Sequence, residues 1–476
     1  MSDISIKKAA FITGISKYIN IFLGIFFSAI LSRILSPNDY GIVAIVSVFT
    51  AFFIVLSNCG LSIAVVQRKD FSQEDIDSVF SFSVYQGLVL SVIFIALAYP
   101  ISIFYSNSVY IPIVLLLSIS IFFNTINAVP NGLLRKEKRF LLIGIRLVVV
   151  SILTYGFTII LALLNFKYYA LVIQSITSSV LIFLWNLSNV KVHFKLKVDF
   201  KVLKQIKGYS GFNFLSNLVN FFTRNLDKLI IGKALGNENL AQYNKAYHFM
   251  LYPVQNLTNI ITPVLHPILS DFQDNVSVIY EKYKGIVKFL SLTGVLVSAG
   301  CFCCSKEIIL ILYGKQWYSA VNCFHFLSIA IWTQMITGTA GSLFNAVGNT
   351  KNSFIQDVIS VAIMLSCILI VSKFNSIEII SLGVTIALLI NFFLCFFFLI
   401  KLTMKRSFLD FLLWIFPDFI IYLILMFSSK PINKFIIQDN LFISFVFKGI
   451  IISALYLVLL LIFRQTKYLT KILKRK

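Results

Sequence analysis

The sequence predicts an all-α polytopic membrane protein of about fourteen spanning helices, built as two six-helix lobes with two additional C-terminal helices. Three observations predict it. The chain has 476 residues, of which 58% are hydrophobic and 13% charged, and its mean hydropathy of +0.90 exceeds what a soluble core can absorb. Apolar runs of about 20 residues recur from end to end, each long enough to cross the roughly 30 Å hydrocarbon core as a helix. The first and seventh of these runs also share a pattern at a fixed offset of 200 residues.

Taken in order, spans are expected near 9–32, 41–66, 79–104, 110–133, 141–164, 168–188, 209–232, 243–269, 286–312, 319–347, 353–372, 378–400, 409–428 and 441–463. The N-terminus, MSDISIKKAAF, runs into the first span without a small-residue cleavage pattern, so that span is read as a retained helix. Between spans one and two, SPNDYG places Pro37 and Asp39 at a helix start, where Asp39 caps the orphan amides of the span from Gly41. A charged coupling role for Asp39 is the alternative. The longest polar stretch, 189–208, carries Lys191, Lys195, Lys197, Lys201, Lys204 and Lys207 against Asp199, and is expected to lie along the membrane surface. It divides the chain into an N-terminal lobe (1–188), a basic cytoplasmic linker (189–208), a C-terminal lobe (209–400), and two extra helices with a basic cytoplasmic tail (401–476).

Loop charges orient the chain. The N-terminus, the even-numbered loops and the C-terminus hold 27 Lys and Arg, the opposite loops hold 9, and Lys17, Arg146, Arg224, Lys228 and Lys448 fall within spans. A threefold excess in short loops places both termini in the cytoplasm. Much of the net charge of +22 is therefore a topology signal and a contact with anionic membrane lipid, with no need of nucleic acid.

Sliding the first span onto the seventh by 200 residues needs no gap. Ser16/Ser216, Asn20/Asn220, Phe22/Phe222, Ile30/Ile230 and Leu35/Leu235 are identical, and LLSISIF (116–122) echoes FLSIAIW (326–332). Six spans separate the copies, so the lobes keep one orientation about a pseudo-two-fold axis along the membrane normal, with a substrate site expected where they meet. The seventh span carries the polar face. Asn213, Asn217, Asn220, Arg224 and Asp227 recur at i, i+4, i+7, i+11 and i+14, on one side of a 3.6-residue helix. Thr13, Lys17 and Asn20 repeat its first half. A charge near the bilayer centre costs roughly 2.5–3.5 kcal/mol on insertion scales, so this face points at protein or water. It either lines an aqueous cavity holding polar cargo or forms an Arg224–Asp227 pair that knits helices together.

Enzymatic chemistry finds little support. GNTKNS (348–353) lacks the spacing of a phosphate-cradling loop. His193, His248, His266 and His325 form no metal motif, and Cys59, Cys301, Cys303, Cys304, Cys323, Cys367 and Cys395 have no Cys/His partners at zinc spacing. No loop is large enough for a nucleotide-binding or acceptor-binding domain. No cofactor is expected.

Six stretches resemble a known family: SRILSPNDYGIVA (32–44), GLLRKEKRF (132–140), RNLDKLIIGKALGNENLAQYNKAYHF (224–249), PVLHPILSDFQDN (263–275), ILILYGKQWYSAV (309–321) and LFNAVGNTK (343–351). Together they resemble the Wzx-type polysaccharide-transporter branch of the multidrug/oligosaccharidyl-lipid/polysaccharide exporter superfamily, over roughly residues 10–400. The resemblance implies a flippase of the bacterial inner membrane that turns a polyprenyl-diphosphate-linked oligosaccharide from the cytoplasmic to the periplasmic leaflet by alternating access. It also names a polysaccharide polymerase and chain-length machinery as candidate partners. A hydrated cationic cavity is what such a head group needs, and Arg224, Lys17, Arg146 and Lys228 supply cations for it, with Asn213, Asn217 and Asn220 for sugar hydroxyls. Asp227 is either a coupling group or a structural partner. A lipid II flippase would share this chemistry. A multidrug antiporter of the same superfamily would need an acidic cavity, and Asp227 is the one acid expected deep within the lobes.

Overall fold

A computed structural model describes residues 6–57, 61–68, 71–199, 202, 211–270, 275–436 and 439–468, with the side chains of 6–12, 63–64, 67, 211–217, 220, 223–224, 257, 259–270 and 350 outside the description. Among the described residues every element is helical apart from short turns and the 189–199 strap. The first nine helices are α1 (Ile6–Ile34), α2 (Pro37–Ser57), α3 (Leu61–Gln67), α4 (Gln73–Ala96), α5 (Ala98–Tyr105), α6 (Tyr110–Ile126), α7 (Ala128–Lys136), α8 (Phe140–Leu163) and α9 (Tyr168–Leu187). Then come α10 (Gly211–Ser270), α11 (Val276–Cys303), α12 (Ser305–Tyr313), α13 (Ser319–Ser328), α14 (Ile331–Thr337), α15 (Ala340–Ala346), α16 (Thr350–Ser372), α17 (Ile377–Phe396), α18 (Phe408–Phe435) and α19 (Leu441–Ile462).

Among the described residues, eleven helices are long and apolar enough to cross a membrane, or twelve if the bent pair Ser319–Ser328 and Ile331–Ala346 is one span. The expected seventh and eighth spans fall within α10, which lies partly outside the description. The spans expected near 79–104 and 110–133 are each one span, Gln73–Tyr105 and Tyr110–Lys136, interrupted at a single residue. Pro100 and Pro130 each lack an N–H, which frees the carbonyl four residues earlier, at Ala96 and Ile126. Those residues are where α4 and α6 end and where α5 and α7 take over. The 52° bend after α13 is also provided for. Its freed carbonyls at Ser328 and Ile329 accept from Ser298 Oγ at 2.6 Å and Tyr422 Oη at 2.9 Å, as irregular backbone at membrane depth requires. Inside α10 the break comes at Gly236, whose φ of 81° is open to glycine at no steric cost.

Packing divides the chain into two units, Met1–Glu238 and Asn239–Lys476. In the first, α1 lies along α8, and α6 packs between α4 and α9. The linker lies across α4 as an extended strap: His193 N–H donates to Asp77 Oδ1, Lys195 N–H to Ser81 Oγ and Asp199 N–H to Ser78 Oγ, at 2.8–3.0 Å. Phe194 and Leu196 stay exposed on it. In the second unit, α11 is the central helix, contacting α13, α14, α18 and α19.

Two buried ion pairs fasten α18 and α19 to that unit. Lys288 of α11 meets Asp418 of α18 at 2.6 Å, both at most 1% exposed. Lys448 of α19 meets Glu307 of α12 at 2.5 Å. These pairs correct the sequence reading at three places. Lys288, counted there with the loop cations, sits inside a spanning helix. Lys448, counted as a cation within a span, is neutralised. Glu307 is a second buried acid within the lobes, where Asp227 alone is expected, and Asp418 is buried in the C-terminal pair.

Candidate functional site

The polar interior of the first unit starts from one hydrogen bond. Ser151 of α8 donates to Asn20 Oδ1 of α1 at 2.5 Å and sets the register of the two helices. Three spans lie between them in the chain, so they run parallel. Lys17 lies three residues before Asn20, about 4.5 Å along the axis, and Arg146 five residues before Ser151, about 7.5 Å. The two cations therefore stand within about 3 Å of the same depth on adjacent helices.

Their surroundings differ. Lys17 is exposed. Arg146 is 6% exposed, and its Nη1 donates to Asn186 Oδ1 at 2.5 Å and to Asn131 Oδ1 at 3.2 Å. Asn186 in turn donates to Asn127 Oδ1 at 2.7 Å. Asn127 and Asn131 flank the start of α7, and Asn186 lies near the end of α9, so the arginine joins three elements. Every acceptor is a neutral amide, and Arg146 Nε is buried with no acceptor among the described residues. No carboxylate pairs with Lys17 or Arg146 among the described residues. In water-poor surroundings a guanidinium held by amides alone keeps its positive potential.

The other expected site residues divide. Asp227 is 2% exposed, and Lys228, half-buried, donates to Asn225 Oδ1 at 3.1 Å. The side chains of Arg224, Asn213, Asn217 and Asn220 lie outside the described residues. Asp39 has a local role. The second helix starts at Pro37, not Gly41, and Ser36 is its N-cap: Ser36 N–H and Oγ donate to Asp39 Oδ2 at 3.1 and 2.7 Å, and Asp39 N–H donates back to Ser36 Oγ. This is a capping box with proline at the first helical position.

Motifs that looked separate in the sequence come together. Gly41 packs so closely on Asn237 that a Cβ there would lie 1.9 Å from the Asn237 carbonyl oxygen. Tyr110 Oη donates to Asn237 Oδ1 at 2.7 Å. In the second unit Gln242 donates to the Gln316 carbonyl at 2.8 Å and accepts from the Ala320 amide. Beside it the buried Lys245 ammonium lies 4.7 Å from the Tyr313 ring centroid and 5.2 Å from that of Trp317. Cation–π packing of this kind offsets part of the cost of burying the charge. Nothing in the local sequence around Lys245 could have identified its partners some 70 residues on.

The chain is similar to known proteins. The profile described as "Polysaccharide biosynthesis protein" matches residues 30–322. The teichuronic acid biosynthesis protein TuaB of Bacillus subtilis is 26% identical over 310 residues, 65% of this chain and 64% of that protein. The lipopolysaccharide biosynthesis protein WzxC of Escherichia coli is 24% identical over 420 residues, covering 84% and 82% of the two chains. Among solved structures, a lipid II flippase MurJ in an inward closed conformation superposes with a TM-score of 0.73 at 16% identity, covering 95% of this chain and 99% of that one. At that identity the superposition speaks for the fold.

Proposed function

Since the chain belongs to the polysaccharide biosynthesis protein family, we propose that it is a flippase for polyprenyl-diphosphate-linked oligosaccharides, carrying them outward across the bacterial inner membrane by alternating access for surface polysaccharide assembly. One observation carries the reading. Two buried cations of the second unit, Lys288 and Lys448, are each neutralised by a carboxylate. Lys17 and Arg146 of the first unit meet no carboxylate among the described residues and stand at one depth. A phosphate about 5 Å from such a cation gains roughly 3 kcal/mol at an effective dielectric of 20, comparable to the cost of placing the cation in the membrane.

In this proposal Lys17 and Arg146 form the first unit's anion station. Arg224 and Lys228 extend it along α10, Asn213, Asn217 and Asn220 meet sugar hydroxyls, and Asp227 holds Arg224 between cargo visits. Fourteen spans, six and six and two, with both termini cytoplasmic, complete the reading, supported by the loop charges and by room for two spans in α10. TuaB and WzxC, named for teichuronic acid and lipopolysaccharide biosynthesis, support a glycan cargo.

The test is surface glycan in a deletion strain complemented with variants at wild-type membrane abundance. Arg146→Gln, which keeps a polar side chain but removes the charge, is expected to lower export at least tenfold, and Arg146→Lys to retain part of it. Full export by Arg146→Gln together with Lys17→Gln would refute the anion station, and no rescue by the wild-type protein would refute the flippase reading.

A further inference from the structure

The first unit contains a second feature, far from the Lys17–Arg146 level. A groove of about 570 Å³ lies between α2, α5 and α10, walled by Phe49, Leu97, Ile101, Phe104 and Ile230, with Lys233 at its exposed end. Its volume falls within the range of pockets that enclose most of a small ligand. Lys233 is held in place: its ammonium donates to the Phe104 carbonyl and lies 5.1 Å from the Phe104 ring centroid. An ammonium has three donors, so two remain for a ligand. Tyr105 Oη donates to the Leu229 carbonyl at 3.3 Å and ties the two walls together.

The groove's place follows from the chain. After α1 ends at Ile34, α2 begins at Pro37 on the same membrane face, and Gly41 of α2 touches Asn237, four residues past Lys233. Lys17 lies 17 residues before the end of α1, about 26 Å away along the axis. The groove thus sits at the membrane face opposite to the one from which α1 enters.

An apolar slot closed by a tethered cation matches an amphiphile with one hydrocarbon chain and a phosphate head. A two-chain phospholipid fits a single slot poorly. We propose that this groove is a second station for the cargo lipid, with the first isoprene units between α2, α5 and α10 and the phosphate on Lys233, occupied once the head group has crossed. The inference rests on the flippase reading for the identity of the lipid, while its test does not depend on transport.

The full chain in nanodiscs is exposed to a diazirine-bearing geranylgeranyl diphosphate, irradiated, and mapped by mass spectrometry. Labels are expected within 97–105 and 229–234, reduced at least tenfold by Lys233→Gln and by Ile230→Trp, which fills the slot. Ala234→Phe, at the exposed rim, is the companion where Ile230→Trp lowers the melting midpoint. Neither free pyrophosphate nor an equal concentration of phosphatidylglycerol should compete. Labels only elsewhere, labels insensitive to Lys233→Gln, or displacement by phosphatidylglycerol would overturn the second station and leave the flippase reading standing. Intact labels alongside a failure of the wild-type protein to restore surface glycan in the deletion strain would keep the site and refute that reading.

Discussion

Removing one partner of the Lys288–Asp418 pair should unfasten the last two helices. At 2.6 Å and an effective dielectric of 20 the mutual attraction is about 6 kcal/mol, and stripping water from two ions costs several kcal/mol each, so the pair is near balance. Asp418 also accepts from Ser291 Oγ at 2.7 Å, and Ser291 Oγ accepts from Trp332 Nε1 at 3.0 Å. The Lys288 ammonium stands 5.1 Å from the Trp414 ring centroid. Asp418→Ala leaves that ammonium charged in a dry site and is expected to cost about 3–5 kcal/mol. The double change Lys288→Met, Asp418→Leu should be neutral or stabilising by up to about 4 kcal/mol. The assay is thermal unfolding in detergent followed by a thiol-reactive dye, for which the buried Cys303, Cys304, Cys323 and Cys395 report opening. An Asp418→Ala variant that melts with the wild type would refute the reasoning, as would a double variant no better than the single.

Three further outcomes follow from particular contacts. Gly41→Ala should cost at least about 3 kcal/mol, the upper range for overpacking, because the obstructing atoms are Asn237 backbone; Gly24→Ala, 3.7 Å from Tyr155 Oη, should not destabilise in the same melting assay. Asp39→Asn should lose about 1 kcal/mol or less and retain export, since the capping box needs an acceptor more than a charge; a well-folded variant without export would give Asp39 a coupling role. Cysteines at 136 and 199 should be shielded from impermeant reagents in intact cells while those at 107 and 432 react, and the reverse pattern would invert the topology.

What the sequence could and could not disclose has physical reasons. Span existence was legible because about 20 apolar residues have one use, and most edges fell within a few residues of the helices. Leu97 and Asn127 were not recognised as breaks, although Pro100 and Pro130 three residues on carried the signal. Asp39 was rightly placed at a helix start, but the cap was Ser36, whose box partner sits at the third helical position. The ion pairs were invisible because Lys288 and Asp418 are 130 residues apart, and Glu307 and Lys448 are 141 apart. Only tertiary packing shows that those cations are neutralised while Arg146 rests on amides.

The most direct measurement is movement of a short-chain polyprenyl-diphosphate oligosaccharide between leaflets of proteoliposomes, read by access of an external lectin. Wild-type protein is predicted to expose the glycan at least tenfold faster than the Lys17→Gln, Arg146→Gln variant reconstituted at equal density. Equal rates, or wild-type rates no faster than protein-free vesicles, would contradict the account.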